Sequence, residues 1–201
     1  MAKPDKIDVR QRILDTAAEL FYREGVRGVG VDRIAAESGV AKMSLYYHFG
    51  SKDELVAAWL DRRDQEWMSW LRSAVERRGD GLLDVFDALR EWFETPDFRG
   101  CAFINVHAEL GRSNPAVAEI VAMHKRSLAE YLAELARREG VDDPESLARE
   151  LLVVVEGAIV TSSIQRDARV ADDGRSAGAK LIATYGITSE TKATPVAATR
   201  A

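Results

Sequence analysis

The sequence predicts an all-α protein in which a three-helix N-terminal domain precedes a larger C-terminal helical bundle. Apolar residues recur every three or four positions through most of the 201 residues, which is the period of amphipathic helices. Glycine and proline interrupt this pattern at helix-length intervals, and no segment alternates as a half-buried strand does. We expect domains at 1–52 and 53–186, and a disordered tail at 187–201 that is rich in Thr, Ser, Ala and Lys.

Three helices are expected first, at 9–24, 31–38 and 42–49. Gly25 follows the first helix as a C-cap, and Gly39 permits a sharp turn between the second and third. Ser51 is expected to cap the fourth helix, because Glu54 three residues later completes a capping box.

Six further helices are expected at 52–78, 82–93, 101–110, 115–139, 144–166 and 173–185. Pro115 and Pro144 mark two of the starts, because proline is favoured in the first turn of a helix. Asn114 and Asp143, directly before them, are good N-cap residues.

Composition argues against several classes of protein. A single cysteine, Cys101, excludes a disulfide framework and a cysteine-rich zinc site. No apolar run approaches the ~20 residues that a membrane helix needs, and the first nine residues lack the apolar region of a signal peptide. We therefore expect a cytoplasmic protein with no membrane segment, no metal and no cofactor.

The net charge of −5 argues at first sight against a nucleic-acid partner. The charge is unevenly distributed, however. Residues 1–52 hold nine basic and seven acidic side chains, a net +2, which leaves −7 for the remainder. This asymmetry is typical of a small anion-binding module on an acidic body.

Two short helices joined by a tight turn at Gly39 form the pattern of a helix-turn-helix. Leu45 and Val40 are expected to pack the third helix across the second, and 40–51 contains no carboxylate. The outer surface of the third helix is then left with donors, aromatic edges and a cation, which suit phosphates and base edges. These residues are Lys42, Met43, Ser44, Tyr46, Tyr47 and His48. Lys52 adds a phosphate contact at the start of the fourth helix.

The stretch from Arg10 to Leu55 resembles the TetR-type transcriptional regulators. The most specific part, residues 34–55, reads IAAESGVAKMSLYYHFGSKDEL. The resemblance implies a homodimer whose two third helices enter successive major grooves of a palindromic double-stranded DNA operator. It also implies a C-terminal domain that binds a small effector and releases the DNA, with repression as the family default.

Residue by residue, the resemblance implies base-reading or groove-facing roles for Lys42, Met43, Ser44 and Tyr46. It implies phosphate contacts for Tyr47, His48 and Lys52. The family usually has Thr or Ser at the cap of the second helix, where this chain has Gly30 and Val31. Only backbone amides can serve as phosphate donors at that place.

The effector is expected to be small and largely hydrophobic or aromatic. Its candidate pocket residues are Trp59, Arg63, Trp67, Trp70, Trp92, Phe103, His107, His124 and Glu156. The same aromatic side chains can equally be ordinary core. A close helix–helix approach predicts a dimer interface at Gly157, Ala158, Thr161, Ser162, Leu181 and Ile182, although packing within one chain would look the same.

Two alternatives to a ligand-responsive repressor remain open at this point. An all-α enzyme would use His107, His124 or Glu156 as acid–base groups, but nothing supplies a nucleophile–base pair, a phosphate loop or metal-ligand spacing. An interaction adaptor would keep the fold without binding DNA, and the missing cap hydroxyl at Gly30 is its one supporting feature. We expect the protein not to be an enzyme.

Overall fold

A computed structural model describes residues Asp8 to Gly186. Within that range the chain forms α1 (Val9–Glu24), α2 (Val31–Ser38), α3 (Lys42–Phe49), α4 (Lys52–Glu76), α5 (Asp84–Phe93), α6 (Ala102–Leu110), α7 (Pro115–Arg138), α8 (Pro144–Gln165) and α9 (Val170–Ile182). The same residues contain no strand, only an isolated bridge at Val141. The all-α prediction is confirmed, whereas the predicted tail at 187–201 lies outside the described residues.

Local capping fixes the starts of the helices. Backbone N–H groups donate to the side chains of Ser51, Asn114 and Asp143, each at 3.1 Å, so the three predicted N-caps are present. The last helix starts at Val170 rather than at the predicted Asp173. The additional residues at the start of the helix include Val170 and Ala171, which are buried. The polar residues around them in the sequence did not indicate this burial.

The helices form two compact units. The first unit holds the residues up to Trp70 together with Thr95–Arg126. The second unit holds Leu71–Glu94 and the residues from Ser127 onward. None of the helices within 8–186 is long and apolar enough to cross a membrane.

In the first unit, α1 packs on both α2 and α3. Ile13, Ile34 and Leu45, one from each of these helices, are completely buried. Full burial of such a side chain stabilises a fold by about 1.5–3 kcal/mol. This small core holds α3 in place from one side and leaves its other side to solvent.

The turn between α2 and α3 is a Schellman motif centred on Gly39. Gly39 has φ +66° and ψ +36°, a left-handed conformation that costs glycine little. The Val40 N–H donates to the Ala35 carbonyl at 3.0 Å, and the Gly39 N–H donates to Ala36 at 3.2 Å. The predicted sharp turn is confirmed, with the hydrogen bonds that stop α2 there.

In the second unit, α9 packs closely on α5 and α8. Phe86 of α5 is almost completely buried and lies against two glycines of α9. A Cβ atom at Gly174 would lie 3.0 Å from the Phe86 ring, and one at Gly178 would lie 2.8 Å from it. The missing side chains therefore set how closely α9 approaches α5.

We predict that Gly178→Ala lowers the free energy of unfolding by about 1–3 kcal/mol, because the new methyl group overlaps the buried Phe86 ring. Ser176→Ala places the same residue on the exposed side of α9 and should change stability by no more than about 0.5 kcal/mol. Urea unfolding of both variants measures the difference. Equal stability of the two variants would show that the glycine does not set the helix spacing.

Candidate nucleic-acid interface and ligand pocket

One side of α3 is exposed and the other side is buried, as the sequence predicts. Met43 and Tyr47, which lie one helical turn apart, are 75% and 85% exposed. Tyr46 is 37% exposed, whereas Leu45 and Phe49 are buried. The helix therefore offers two large side chains to a partner while its apolar side is held by the core.

The remaining polar residues of α3 are partly engaged. Lys42 Nζ lies 2.8 Å from Asp32 Oδ1 of α2, and this hydrogen bond raises the pKa of Lys42. The rings of Tyr47 and His48 pack edge to face at 5.2 Å, which orients both. Ser44 and His48 are half-buried. All six predicted residues lie on this helix, and the ion pair with Asp32 is a feature that the sequence analysis did not anticipate.

Lys52 points to the loop between α1 and α2. Its Nζ donates to the Val26 carbonyl at 2.6 Å, and partial burial lowers the pKa of Lys52. Its predicted role at a DNA phosphate stays a prediction.

The same loop is bound from a second direction by α6. The Glu109 carboxylate accepts hydrogen bonds from the backbone N–H groups of Val26 at 3.1 Å and Arg27 at 2.7 Å. Gly25 has φ +82°, and a Cβ there would lie 2.8 Å from Glu109 Oε1. Lys52 and Glu109, together with their hydrogen bonds to the backbone of this loop, are called the loop clamp below. It connects α4 and α6 to the segment that leads into α2.

The cap of α2 is Gly30, and no side chain makes a hydrogen bond there. The first turn of α2 therefore presents backbone N–H groups alone at its start, as the sequence analysis expected. The helix N-terminus still favours an anion through its dipole.

A pocket of about 300 Å³ lies in the first unit between α1, α4 and the loop before α6. The α1 wall includes Glu19, Tyr22 and Arg23, and the α4 wall includes Trp59, Arg62 and Arg63. Glu66, Asp97 and Arg99 complete the rim. Trp59 and Arg63 were predicted from the sequence as effector residues, whereas Tyr22, Arg62 and Arg99 were not.

Tyr22 is fixed in the pocket wall by three contacts. Its hydroxyl donates to the Gly100 carbonyl at 2.9 Å and accepts from the Arg99 N–H at 2.9 Å. The Arg63 guanidinium lies over the Tyr22 ring, 4.9 Å from its centroid. Burial raises the pKa of Tyr22, so the phenol stays neutral and keeps its donor.

Other predicted effector residues form a separate buried cluster in the first unit. His124, 3% exposed, stacks on Phe103 at 3.7 Å and meets the edge of Trp67 at 5.5 Å. His124 Nδ1 lies 2.6 Å from Asp64 Oδ1. Burial lowers the pKa of His124 to about 4, so the ring is neutral at pH 7. Its Nδ1–H then donates to the carboxylate.

The remaining effector candidates are dispersed. Trp70 is half-buried beside Trp67, with the rings 6.3 Å apart, and His107 is exposed on α6. Trp92 and the half-buried Glu156 belong to the second unit. Among the described residues, no group of three or more His, Cys, Asp or Glu side chains is placed to hold a metal ion.

The predicted dimer residues differ in accessibility. Ala158 and Ser162 of α8 are buried within the second unit, and Thr161, Leu181 and Ile182 are half-buried. Gly157 is exposed. On the same helix three apolar residues that the sequence analysis missed are exposed, namely Val153, Val160 and Ile164.

The fold and the exposed third helix define a helix-turn-helix DNA-binding regulator. Residues 13–59 match the sequence profile of bacterial regulatory proteins of the tetR family, and residues 77–177 match the tetracyclin repressor-like C-terminal domain. A TetR-family transcriptional regulator from Streptomyces coelicolor has a similar crystal structure, with a TM-score of 0.79 and 31% identity. That match covers 88% of this chain and 89% of the other. The chain belongs to the TetR family.

Two further relatives share less sequence identity with this chain. The HTH-type transcriptional regulator LmrA of Bacillus subtilis is 28% identical over 77% of this chain and 86% of its own length. The HTH-type transcriptional activator FasR of Mycolicibacterium smegmatis is 28% identical over 65% of this chain and 59% of its own. The family thus makes this protein a transcriptional regulator, and the relatives' names leave the direction of regulation open.

We predict that stability falls by about 2 kcal/mol between pH 7 and 5 because of His124. Its folded-state pKa of about 4 lies below the ordinary 6.5, so the unfolded chain takes up the proton first. The contribution of the neutral ring to the free energy of unfolding is fully present above pH 7 and is lost as the pH falls towards 4.

His124→Gln keeps a donor for Asp64 without titrating, so its unfolding free energy should depend less on pH in this range. His107→Gln changes an exposed histidine and should retain the wild-type slope. Denaturant unfolding at several pH values provides the measurement. Parallel curves for wild type and His124→Gln would contradict the assignment.

Proposed function

We propose that this TetR-family regulator is a repressor that binds a palindromic operator as a homodimer and is released by a small effector. The observation that supports this most directly is the exposure of Met43 and Tyr47 on α3 while Leu45 and Phe49 are buried. An exposed tyrosine and methionine on a helix held by the core behind it suit a major groove.

Within this proposal, Met43, Ser44, Tyr46 and Lys42 face the base edges, and Tyr47, His48 and Lys52 contact phosphates. The Lys42 ammonium is already hydrogen-bonded to the Asp32 carboxylate. To contact DNA, Lys42 must therefore either give up this hydrogen bond or keep it while it donates to the DNA as well. Loss of the Asp32 ion pair lowers the net electrostatic free energy that Lys42 contributes to DNA binding. It also makes this contribution depend on the position of a phosphate or base acceptor.

Dimerisation would place two α3 helices about 34 Å apart, one turn of B-DNA. The exposed apolar residues of α8, Val153, Val160 and Ile164, support an interface there. Together with the exposed Gly157 they follow the spacing of one helix face. A second copy of α8 can approach closely at Gly157, since a Cβ there would meet nothing within 4 Å in this chain.

Release requires that the effector prefer a state in which the two α3 helices no longer match the half-sites. The loop clamp supports a route for this change. A shift of α4 or α6 acts directly on the loop at Val26 and Arg27, because Lys52 and Glu109 bind its backbone. A displacement of a few ångströms prevents both half-sites from docking at once.

We predict that Tyr47→Ala weakens binding to the DNA upstream of the protein's own gene by about ten-fold, equivalent to ~1.4 kcal/mol, because a hydrogen bond to a charged phosphate is lost. The fold should be unchanged because this side chain is 85% exposed. Met123→Ala removes a 55% exposed apolar side chain from α7 and should bind DNA like wild type. Footprinting, gel shifts and a transcription assay on the same fragment provide the measurements.

If the folded wild-type protein occupies no palindrome at low salt, the proposal is wrong. Binding that increases transcription instead would retain the operator and overturn the repressor assignment.

We predict that Glu109→Gln increases hydrogen exchange at the Val26 and Arg27 amides and weakens operator binding. A charge-assisted hydrogen bond contributes about 1.5–3 kcal/mol, and the carboxylate here serves two N–H groups. Glu119→Gln changes an exposed glutamate that pairs with Arg126 and serves as the control. Unchanged exchange at both loop amides would exclude the loop clamp as a structural link.

A further inference from the structure

We propose that the pocket between α1 and α4 binds a planar aromatic carboxylate, and that Arg63 is the residue that recognises its charge. That this ligand is the effector rests on the proposed function, whereas its binding does not.

Two aromatic side chains, Tyr22 and Trp59, contribute to the pocket wall, and both are already fixed. Trp59 is 3% exposed and packs on Phe21 with ring centroids 5.4 Å apart. Tyr22 is held by the backbone of Arg99 and Gly100 through its hydroxyl. Because neither ring has to be ordered on binding, a flat apolar ligand meets a preorganised slot.

The guanidinium group of Arg63 is available to a ligand, unlike those of the other arginines that line the pocket. Arg62 is ion-paired with Asp15, and Arg23 is ion-paired with Glu24. The Arg99 guanidinium donates to the backbone carbonyls of Pro96 and Phe98. Arg63 rests on the Tyr22 ring and forms no ion pair with any residue in the described part of the chain. Its planar fork of N–H donors matches a carboxylate in two parallel hydrogen bonds.

The positive charge that an anionic ligand can use comes from Arg63 and Arg99, the lining arginines that form no ion pair within the described residues. Four arginines and three carboxylates line the pocket, and two of the arginines, Arg23 and Arg62, are already ion-paired with Glu24 and Asp15 outside the lining. One of the carboxylates, Glu66, already lies 3.5 Å from Arg62. A cationic ligand would depend on Glu19 and Asp97 and would lie beside the guanidinium groups of Arg63 and Arg99.

The volume restricts the size of the ligand. About 300 Å³ is at the small end of the range for ligand pockets, which extends from roughly 300 to 1,000 Å³. A fused two-ring acid fits this volume, so 2-naphthoate is a suitable probe. Its neutral amide and its cationic amidine have nearly the same shape and differ in charge.

The position of the pocket gives such a ligand a direct effect on the DNA-binding helices. One wall is α1, which packs on α2 and α3, and the other wall is α4. Arg62 of α4 also donates to the Leu14 carbonyl of α1 at 3.4 Å. A ligand between these walls changes the spacing of α1 and α4, and α3 follows α1.

The test is titration calorimetry of the full-length protein, without DNA, with 2-naphthoate, 2-naphthamide and 2-naphthamidine. We expect saturable binding of 2-naphthoate, at least ~10-fold tighter than the amide and tighter still than the amidine. Arg63→Gln should reduce the preference for the acid over the amide to less than ~3-fold. Arg63→Lys, which keeps the charge and loses the fork, should fall between.

The matched control is Arg72→Gln. Arg72 also lies on α4 over a tyrosine ring, 4.2 Å from the centroid of Tyr131, but it does not line the pocket. It should keep the wild-type preference. Absence of saturable 2-naphthoate binding at ~1 mM, tighter binding of the amidine, or an unchanged preference in Arg63→Gln would each overturn the site.

A second measurement separates this inference from the proposed function. Adding 2-naphthoate to the protein–operator complex should release the DNA in wild type and in Arg72→Gln, and not in Arg63→Gln. Binding without release would keep the site and overturn its role as effector site. Failure of the wild-type protein to bind DNA would overturn the proposed function and leave the calorimetric result standing.

Discussion

The loop between α1 and α2 is the constraint on which the DNA-binding helices depend. Its backbone is bound from two directions, by Lys52 at the Val26 carbonyl and by Glu109 at the Val26 and Arg27 N–H groups. These hydrogen bonds are charge-assisted, and the two at Val26 are also partly shielded from water, so they are stronger than an ordinary surface hydrogen bond. Because α2 begins directly after this loop, and α3 is packed on α2, the loop clamp acts together with the buried core of α1, α2 and α3 to hold the exposed face of α3 within the first unit.

The N-terminal segment that carries the exposed face of α3 has little net positive charge. The N-terminal 52 residues carry only +2, and Lys42, the one lysine of α3, is already paired with Asp32. Attraction of DNA by a broad basic patch is therefore small compared with the contacts that Met43, Tyr46 and Tyr47 can make at short range. Specific geometry rather than net charge has to supply the affinity, which agrees with a helix whose position is fixed by a buried core and a clamped loop.

Two aromatic sites in the first unit differ in kind. The cluster around His124 is closed: the ring is sandwiched against Phe103, hydrogen-bonded to Asp64, and kept neutral by burial. The pocket beside Trp59 is open and has a guanidinium on its wall. Closed aromatic packing stabilises the fold, whereas an open slot with an available charge suits a ligand. Both kinds of site use residues that look alike in the sequence.

The sequence by itself determined the all-α class, the three predicted N-caps, the turn at Gly39 and the two sides of α3. These features depend on residues within about one or two helical turns of each other. Their physical causes are the helical period, capping and the left-handed conformation of glycine, and these act over that range.

The tertiary structure alone decided which of the predicted pocket residues meet. It joined Tyr22 to Gly100, Glu109 to Val26 and His124 to Asp64, and it placed Trp59 and Arg63 in a pocket apart from the other candidates. Such contacts join residues 60 to 83 positions apart. No local pattern specifies them, because they depend on how whole helices pack and on which side chains that packing brings together.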